Sequence, residues 1–241
     1  MDTGSLRPGQ IKIVPRSSIK KAIVLLSGGL DSSTTLYYAQ RHGFKTHCLI
    51  FDYGQRHKKE IRQARAIAVH SRSPYYILCI QLPWRGSALL DKGIPLPENR
   101  EILPREIPVT YVPARNIIFL SYAASYAEAI GALAIFIGAN AIDYSGYPDC
   151  RPEFYAVYQT LLERGQKTGV EGKPIRIYTP LIRKTKAQII RLGYQWGVPF
   201  QLTWSCYKGG KSPCGKCDSC LLRQKGFLKT RIQDPLMIHK A

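Results

Sequence analysis

A short apolar run that leads into a glycine pair is the feature that most constrains how this chain can fold. Residues 23–26 are apolar and mostly β-branched or leucine, which is typical of a buried strand. Gly28 and Gly29 predict a tight turn, and residues 31–34 predict a helix start because their side-chain oxygens can accept first-turn N–H groups. Strand, turn and helix start gather free N–H groups and the positive end of a helix dipole, which suits a phosphate.

Alternating strand and helix patterns follow this turn along the chain. We expect the later strands at residues 45–51, 75–80, 132–138 and 175–178, with helices between them. This rhythm predicts an α/β fold with a doubly wound, parallel, five-stranded sheet. Ligands of such sheets bind beyond the carboxyl ends of the strands, where the glycine turn and the polar loop 52–57 both lie.

The glycine turn matches neither of the two common phosphate-binding fingerprints, because it lacks the Walker lysine and the three spaced glycines of a dinucleotide site. Residues 27–32 read Ser-Gly-Gly-Leu-Asp-Ser and resemble the PP-loop of the N-type ATP pyrophosphatases, which have an adenine nucleotide alpha hydrolase-like fold. In that family the loop holds the β- and γ-phosphates together, so that AMP is transferred to the substrate. The resemblance implies an ATP-binding segment made of Leu26, Ser27, Gly28, Gly29, Leu30, Asp31, Ser32, Ser33, Thr34, Thr35 and Leu36.

Four cysteines near the C-terminus have the spacing of a metal site. They are Cys206, Cys214, Cys217 and Cys220, in the order C-x7-C-x2-C-x2-C. Four thiolates so spaced suit a closed, structural zinc site, and an iron–sulfur cluster is the alternative. We therefore predict a small C-terminal zinc-binding segment, residues 201–241, packed on a main domain at 19–200. Cys48 and Cys79 lie in predicted strands and are expected in the core.

Length and charge limit the class of protein. The 241 residues suit one α/β domain with a small appendage, and no apolar run reaches the ~20 residues that span a bilayer. Residues 1–18 lack the apolar core of a secretory signal, so we expect a flexible tail and a cytoplasmic protein. The net charge of +19 suits an enzyme that handles ATP and pyrophosphate, and it leaves nonspecific RNA contact open.

Further motifs narrow the resemblance within the PP-loop family. They lie at residues 52–57, 112–116, 138–151 and 205–220. In this order they look like the motifs of the 7-cyano-7-deazaguanine synthases. The resemblance implies an ATP-dependent carbon–nitrogen ligase of queuosine precursor biosynthesis. Its substrates are 7-carboxy-7-deazaguanine, ammonium and two molecules of ATP with Mg²⁺, and its intermediates are an acyl-adenylate and an adenylated amide.

The same resemblance implies roles for individual side chains. The catalytic set is Asp31, Ser32, Arg115 and Lys186. Asp31 would orient Mg²⁺ or cap its helix, whereas Arg115 and Lys186 would stabilise phosphate charge or form structural ion pairs.

The substrate-binding set is Arg115, Asn140, Asp143 and Asp149. Asn140 and the two aspartates would read the donor edge of a guanine-like base, with turn formation as the alternative for Asp143 and Asp149. The proline-rich residues 82–110 are expected to form either a flap near the substrate or a surface insertion.

We expect a homodimer and no membrane contact. Two other functions compete with the ligase: a PP-loop tRNA thiolase, and a basic, zinc-dependent RNA-binding module. Metal analysis separates the thiolase, which needs a persulfide-carrying cysteine or an iron–sulfur cluster. An RNA-binding module would consume no ATP and leaves the glycine turn unexplained.

Overall fold

The structure is a computed structural model that describes residues 20–100, 106–142 and 146–237. The predicted tail, residues 1–18, and Asp143 lie outside these ranges. Five parallel strands form one sheet: β1 (Lys21–Leu25), β2 (Lys45–Asp52), β3 (Tyr75–Cys79), β4 (Ala134–Ile137) and β5 (Arg176–Tyr178). Their order, β3-β2-β1-β4-β5, confirms the predicted doubly wound sheet.

Helices cover both faces of this sheet. The described residues include α1 (Leu30–Arg41), α2 (Lys59–His70), α3 (Arg115–Ile130), α4 (Pro152–Gly165), α5 (Lys167–Val170), α6 (Lys186–Gln195) and α7 (Asp218–Thr230). Successive residues of β1 face opposite sides, so Val24 packs with α1 and α2 whereas Ile23 packs with α3 and α4. Because both of its faces are buried, β1 is apolar at almost every position, as its sequence indicates.

Strand β3 lies at the edge of the sheet and is less covered than its sequence predicts. Its Tyr76 side chain is 61% exposed and Cys79 is also exposed, so the expectation of a core position for Cys79 is wrong. Cys48 on β2 is fully buried, as expected. The two cysteines differ because β2 has a strand on each side, whereas β3 pairs with β2 alone among the described strands.

Helix α7 is the longest element that the sequence reading missed. It begins directly after Cys217 and packs against α6, with Phe227 buried beside Ile189 and Ile190. No helix in the described ranges combines the length and apolarity that a membrane crossing needs. The strands β1 and β4 are neighbours at the centre of the sheet, and a crevice opens beyond their carboxyl ends.

Candidate active site

The loop between β1 and α1 is shaped by its own hydroxyl groups. The Oγ atoms of Ser27 and Ser32 lie 2.9 Å apart, and Ser32 Oγ accepts the Ser27 N–H at 3.2 Å. Ser27 Oγ in turn accepts the Gly29 N–H at 3.3 Å. These short-range bonds fix the path of the chain across the start of α1.

Helix α1 begins without the side-chain cap that its sequence predicts. Gly29 is its N-cap residue, and no side-chain hydrogen bond from the described residues caps it. The hydroxyls of residues 33–35 lie inside the helix and donate to carbonyls one turn earlier, at 2.7 to 2.9 Å. The prediction that the side chains of residues 31–34 cap the helix is therefore wrong. Without a cap, the first-turn N–H groups can bind an anion.

Two glycines allow the loop to contact its neighbours closely. Gly28 has a φ of +80°, and a Cβ added there would lie 2.5 Å from the Glu60 carbonyl oxygen and 2.7 Å from the Ala64 nitrogen. A Cβ at Gly138, just after β4, would lie 2.8 Å from the Ser32 nitrogen. The loop is thus enclosed between α2 and the end of β4, and a side chain at either glycine would separate them.

Asp31 and Lys186, 155 positions apart in sequence, form an ion pair. Lys186 Nζ lies 2.8 Å from Asp31 Oδ1 and 2.7 Å from Oδ2, and the lysine side chain is only 9% exposed. Lys186 is the first residue of α6, which begins with a capping box between Thr185 and Gln188. A Cβ added at Gly226 of α7 would lie 2.6 Å from Lys186 Cγ, so α7 confines the lysine from behind.

A cavity of about 250 Å³ opens where these elements meet. Part of its lining comes from the loop between β1 and α1, called the phosphate loop below (residues 27–32), through Ser27 and residues 29–32. Another part, called the aromatic wall below, includes five aromatic side chains, Phe51, Tyr53, Phe119, Tyr147 and Tyr207. The Phe51 and Phe119 rings stack with centroids 3.9 Å apart. A cavity with a polar end and a flat apolar wall suits a triphosphate next to a planar ring.

Arg115 also lines the cavity. It is the first residue of α3 and follows Ala114, which has a φ of +55°. Its Nη1 donates to the Tyr53 hydroxyl at 3.4 Å. Burial raises the pKa of the Tyr53 phenol, and the Arg115 charge opposes that shift only in part. A neutral Tyr53 therefore leaves the Arg115 charge available to an anionic ligand.

The residues predicted to read a base are engaged elsewhere in the structure. Asn140 lines the cavity, but its Nδ2 donates to the carbonyls of Leu181 and Lys184. Asp149 accepts the Asn116 N–H at 3.2 Å and thereby caps the start of α3, and it does not line the cavity. Asp143 lies outside the described residues.

Cys150 lines the cavity as a neutral thiol. Burial raises its pKa to about 12. A thiol with that pKa is protonated at neutral pH and is therefore a poor nucleophile.

Glu60 is a cavity residue that the sequence reading missed. It lies in the first turn of α2, its side chain is 22% exposed, and burial raises its pKa to about 7. The nearest ionisable side chain is His57, whose Nε2 lies 3.8 Å from Glu60 Oε1 and whose own pKa is lowered by burial. The charge of Arg115 opposes the rise of the Glu60 pKa. The sequence could have indicated Glu60, because the polar motif 52–57 directly follows a predicted strand and Glu60 lies three residues after it, at the start of the next predicted helix.

Arg56 of the same motif holds the proline-rich segment against the site. Its guanidinium donates to the carbonyls of Ala88, Ile94 and Lys92 at 3.0 to 3.3 Å. Leu89 is buried and lines the cavity. Of the two expectations for residues 82–110, a position near the cavity therefore agrees with the described part, and residues 101–105 lie outside it.

The four predicted metal ligands come together. The sulfur atoms of Cys206, Cys214, Cys217 and Cys220 all lie within 4.8 Å of one another. A tetrahedral zinc site with Zn–S bonds of ~2.3 Å needs sulfurs ~3.8 Å apart, so the set fits such an ion with a small contraction. The N–H groups of Lys216 and Cys217 donate to Cys214 Sγ at 3.5 and 3.4 Å, which favours a thiolate there.

The cysteine segment contacts the phosphate loop directly. The Trp204 N–H donates to the Gly28 carbonyl at 2.8 Å, and the Trp204 indole donates to the Cys206 carbonyl at 2.9 Å.

Two ion pairs join helix α7 to other segments. Buried Arg223 of α7 pairs with Asp234 at 2.7 Å. Arg100 pairs with Asp218 at 2.8 Å, which fastens the proline-rich segment to the start of α7.

A family model and several curated proteins match this chain over most of its length. The family described as "Queuosine biosynthesis protein QueC" matches residues 21–231. The chain is 53% identical over 222 residues to a 7-cyano-7-deazaguanine synthase of Thermoplasma acidophilum, covering 92% of this chain and 93% of that relative. It is also 53% identical over 221 residues to the enzyme of that name in Thermosynechococcus vestitus, covering 90% and 95%.

Among solved structures, an NMN synthetase from Francisella tularensis covers 89% of this chain and 78% of that one, at 17% identity and a TM-score of 0.48. We draw no argument from that structure. The matches to the Thermoplasma acidophilum and Thermosynechococcus vestitus proteins extend over nearly the full length of both. The chain therefore belongs to the QueC family of queuosine biosynthesis proteins.

Proposed function

We propose that this enzyme converts 7-carboxy-7-deazaguanine and ammonia to 7-cyano-7-deazaguanine, with two molecules of ATP cleaved to AMP and pyrophosphate. The observation that carries the proposal is a lysine-free, hydroxyl-lined loop at an uncapped helix start, next to an aromatic cavity wall. Family membership supports the same reaction, because the curated relatives carry the name of the enzyme that makes this nitrile.

The chemistry explains why a pyrophosphate-releasing loop serves this reaction. A carboxylate is a poor electrophile, because oxide would be its leaving group. Transfer of AMP to the carboxylate gives an acyl-adenylate, which ammonia attacks to form the amide and release AMP. Transfer of a second AMP to the amide oxygen, followed by loss of AMP, leaves the nitrile. Both transfers release pyrophosphate, so one loop can serve both.

We assign the departing pyrophosphate to the loop residues Ser27, Gly28, Gly29, Ser32 and Ser33. The Asp31–Lys186 pair supplies the two charges next to this loop. On ATP binding, Lys186 would move to phosphate oxygens, and Asp31 would be free to hold Mg²⁺. Arg115, which also lines the cavity, would stabilise negative charge on the substrate carboxylate or on the transferred phosphate.

We propose that the cysteine cluster holds a structural Zn²⁺. Its four thiols come from one short segment, and three of the four cysteines are buried. Four protein ligands leave a tetrahedral ion no open position for catalysis. Metal analysis of the purified protein decides between zinc and iron–sulfur, and iron with acid-labile sulfide would favour a thiolase.

We propose further that the protein forms a homodimer, contacts RNA weakly and is located in the cytoplasm. The exposed edge strand β3 supports a homodimer, to be tested by sedimentation equilibrium. The charge of +19 supports weak RNA contact, which should vanish as salt rises. A biosynthetic role that draws on ATP supports a cytoplasmic location, to be tested by fractionation.

The decisive experiment incubates the protein with ATP, ammonium and 7-carboxy-7-deazaguanine and follows products by mass. We expect the nitrile, with two AMP and two pyrophosphate for each nitrile formed. Omission of ammonium should stop nitrile formation. Formation of ADP in place of AMP, or ATP-independent RNA binding with no nitrile, would contradict the proposed function.

A further inference from the structure

Two of the described residues that line the cavity are carboxylates, Asp31 and Glu60. Asp31 is already paired with Lys186 through both oxygens. Asn140 and Asp149, which the sequence assigned to base reading, have structural partners. Glu60 is thus the described acidic group in the cavity that is not yet committed to another residue.

The Glu60 carboxylate has unused capacity to accept hydrogen bonds. Among the described residues its nearest ionisable partner is His57, whose Nε2 lies 3.8 Å away, which is longer than a hydrogen bond. The Arg115 charge also acts on Glu60 and opposes the rise of its pKa, but no ion pair joins these two side chains within the described residues. The Glu60 side chain is nevertheless mostly buried, at 22% exposure. Because no hydrogen bond to Glu60 from within the described residues is present and its carboxylate faces the cavity, a ligand there could supply the donors that a partly buried carboxylate favours.

The surroundings of Glu60 indicate what kind of donor would reach it. Its backbone carbonyl abuts Gly28 of the phosphate loop, whereas its side-chain charge acts on Tyr53, whose pKa it raises. Tyr53 and Phe119 form part of the aromatic wall, with ring centroids 5.4 Å apart. A planar ligand against this wall would therefore present its polar edge near Glu60.

We propose that Glu60 is the specificity-determining residue for a guanine-like base, accepting its N1–H and its exocyclic amino N–H. These two donors are parallel and match the two oxygens of one carboxylate, as in other bidentate pairs. The inference rests on the proposed function for its substrate, but not on the order of the chemical steps. It replaces Asn140 and Asp149 in the reading of the base edge.

The test compares two bases and three proteins by calorimetric binding in the absence of ATP. The bases are 7-carboxy-7-deazaguanine and the matched 7-carboxy-7-deazahypoxanthine, which lacks the exocyclic amino group. The proteins are the wild type, Glu60→Gln, and the control Glu153→Gln, which removes an exposed acid at the start of α4. ATP affinity and melting temperature are measured for each protein, which separates base recognition from folding.

We expect the wild type and Glu153→Gln to prefer the guanine-like base by roughly 10- to 100-fold, the size of a charged hydrogen bond. Glu60→Gln should bind that base roughly 10- to 100-fold more weakly. It should lose the preference between the two bases while it keeps its ATP affinity within about twofold.

Three results would overturn the inference. One is a wild type that binds both bases equally, which needs no variant to fold. Another is a Glu60→Gln protein that keeps the preference but turns over slowly at saturating base, as expected of a general base. The third is loss of the preference in Asp143→Asn instead. A wild type that binds ATP but neither base would contradict the proposed substrate itself, so the two failures are distinguishable.

Discussion

The phosphate loop and the cysteine cluster differ in the groups that they offer to a charged ligand. The loop uses backbone N–H groups, held by serine hydroxyls and by two glycines that contact neighbouring backbone. The cluster uses four side chains, whose sulfurs lie within 4.8 Å and would repel one another as thiolates. Local bonds therefore shape the loop in advance, whereas the cluster needs a cation to be stable.

The two regions are nevertheless coupled through direct contacts. The Trp204 N–H, two residues before the first metal ligand, donates to the Gly28 carbonyl of the loop. Helix α7, which begins after Cys217, packs on Lys186 through Gly226. Loss of the metal should therefore disturb the loop. An altered loop should lower the metal affinity by the same coupling free energy, which is small beside the ~10 kcal/mol of a structural zinc site, so the metal should stay bound.

Metal removal should have the largest effect. Chelation, or the substitution Cys217→Ser, should lower the free energy of unfolding by roughly 5 kcal/mol or more, because binding and folding of the segment are linked. We expect metal content, melting temperature and ATP affinity to fall together. Cys79→Ser, at an exposed cysteine outside the cluster, is the matched control and should change none of them. Full stability without metal would show that the cluster does not stabilise the fold.

Loss of the Asp31 charge should come next, and it should affect chemistry more than metal content. Asp31→Asn should slow AMP formation at least ~100-fold, about 3 kcal/mol in the barrier, with metal still bound. It should also cost about 1 to 2 kcal/mol in unfolding free energy, because Lys186 would be left mostly buried without its carboxylate. Asp91→Asn, outside the cavity lining, is the control. Unchanged AMP formation in Asp31→Asn would contradict the assignment of the loop.

A pair of alanine substitutions can separate close packing in the loop from backbone conformation alone. Gly28 and Gly54 have φ values of +80° and +83°, but only at Gly28 would a Cβ meet other atoms within 4 Å. Gly28→Ala should cost about 3 kcal/mol in unfolding free energy and weaken ATP binding, whereas Gly54→Ala should cost about 1 kcal/mol. Denaturant unfolding and ATP titration measure both. Equal costs would mean that α2 moves away from the loop freely.

The smallest effect should be a pH dependence from Glu60. Its pKa is raised by burial from 4.5 to about 7, so its contribution to stability is fully present below pH 4.5 and is lost as pH rises through 7. The loss should be about 2 to 3 kcal/mol. In Glu60→Gln the loss should be absent, while Glu153→Gln should follow the wild type. Parallel stability curves for the wild type and Glu60→Gln would show that the carboxyl titrates normally.

Local patterns predicted the parts of this protein that are close together in sequence. The apolar run before Gly28, the glycine turn and the cysteine spacing each act within about a dozen residues, and the structure contains all three as sheet strand, loop and cluster. The helix-cap prediction failed because α1 already begins at Leu30, which makes Ser33 and Thr34 its fourth and fifth residues, so their hydroxyls donate to carbonyls of the preceding turn. The C-terminal segment was predicted to pack on the main domain but not to be helical, and the structure shows that Phe227 is buried from a helix, α7.

By itself, the sequence determined the α/β architecture, the glycine turn between the first strand and its helix, and the grouping of the four thiols, because strand burial, turn chemistry and ligand spacing are encoded locally. Only the tertiary structure decided that Asp31 pairs with Lys186, that Asp149 caps α3, that Cys79 is exposed and that Glu60 enters the cavity. These contacts join residues far apart in the chain or depend on which strand lies at the sheet edge. Such positions are fixed by how whole elements pack, and no short stretch of sequence carries that information.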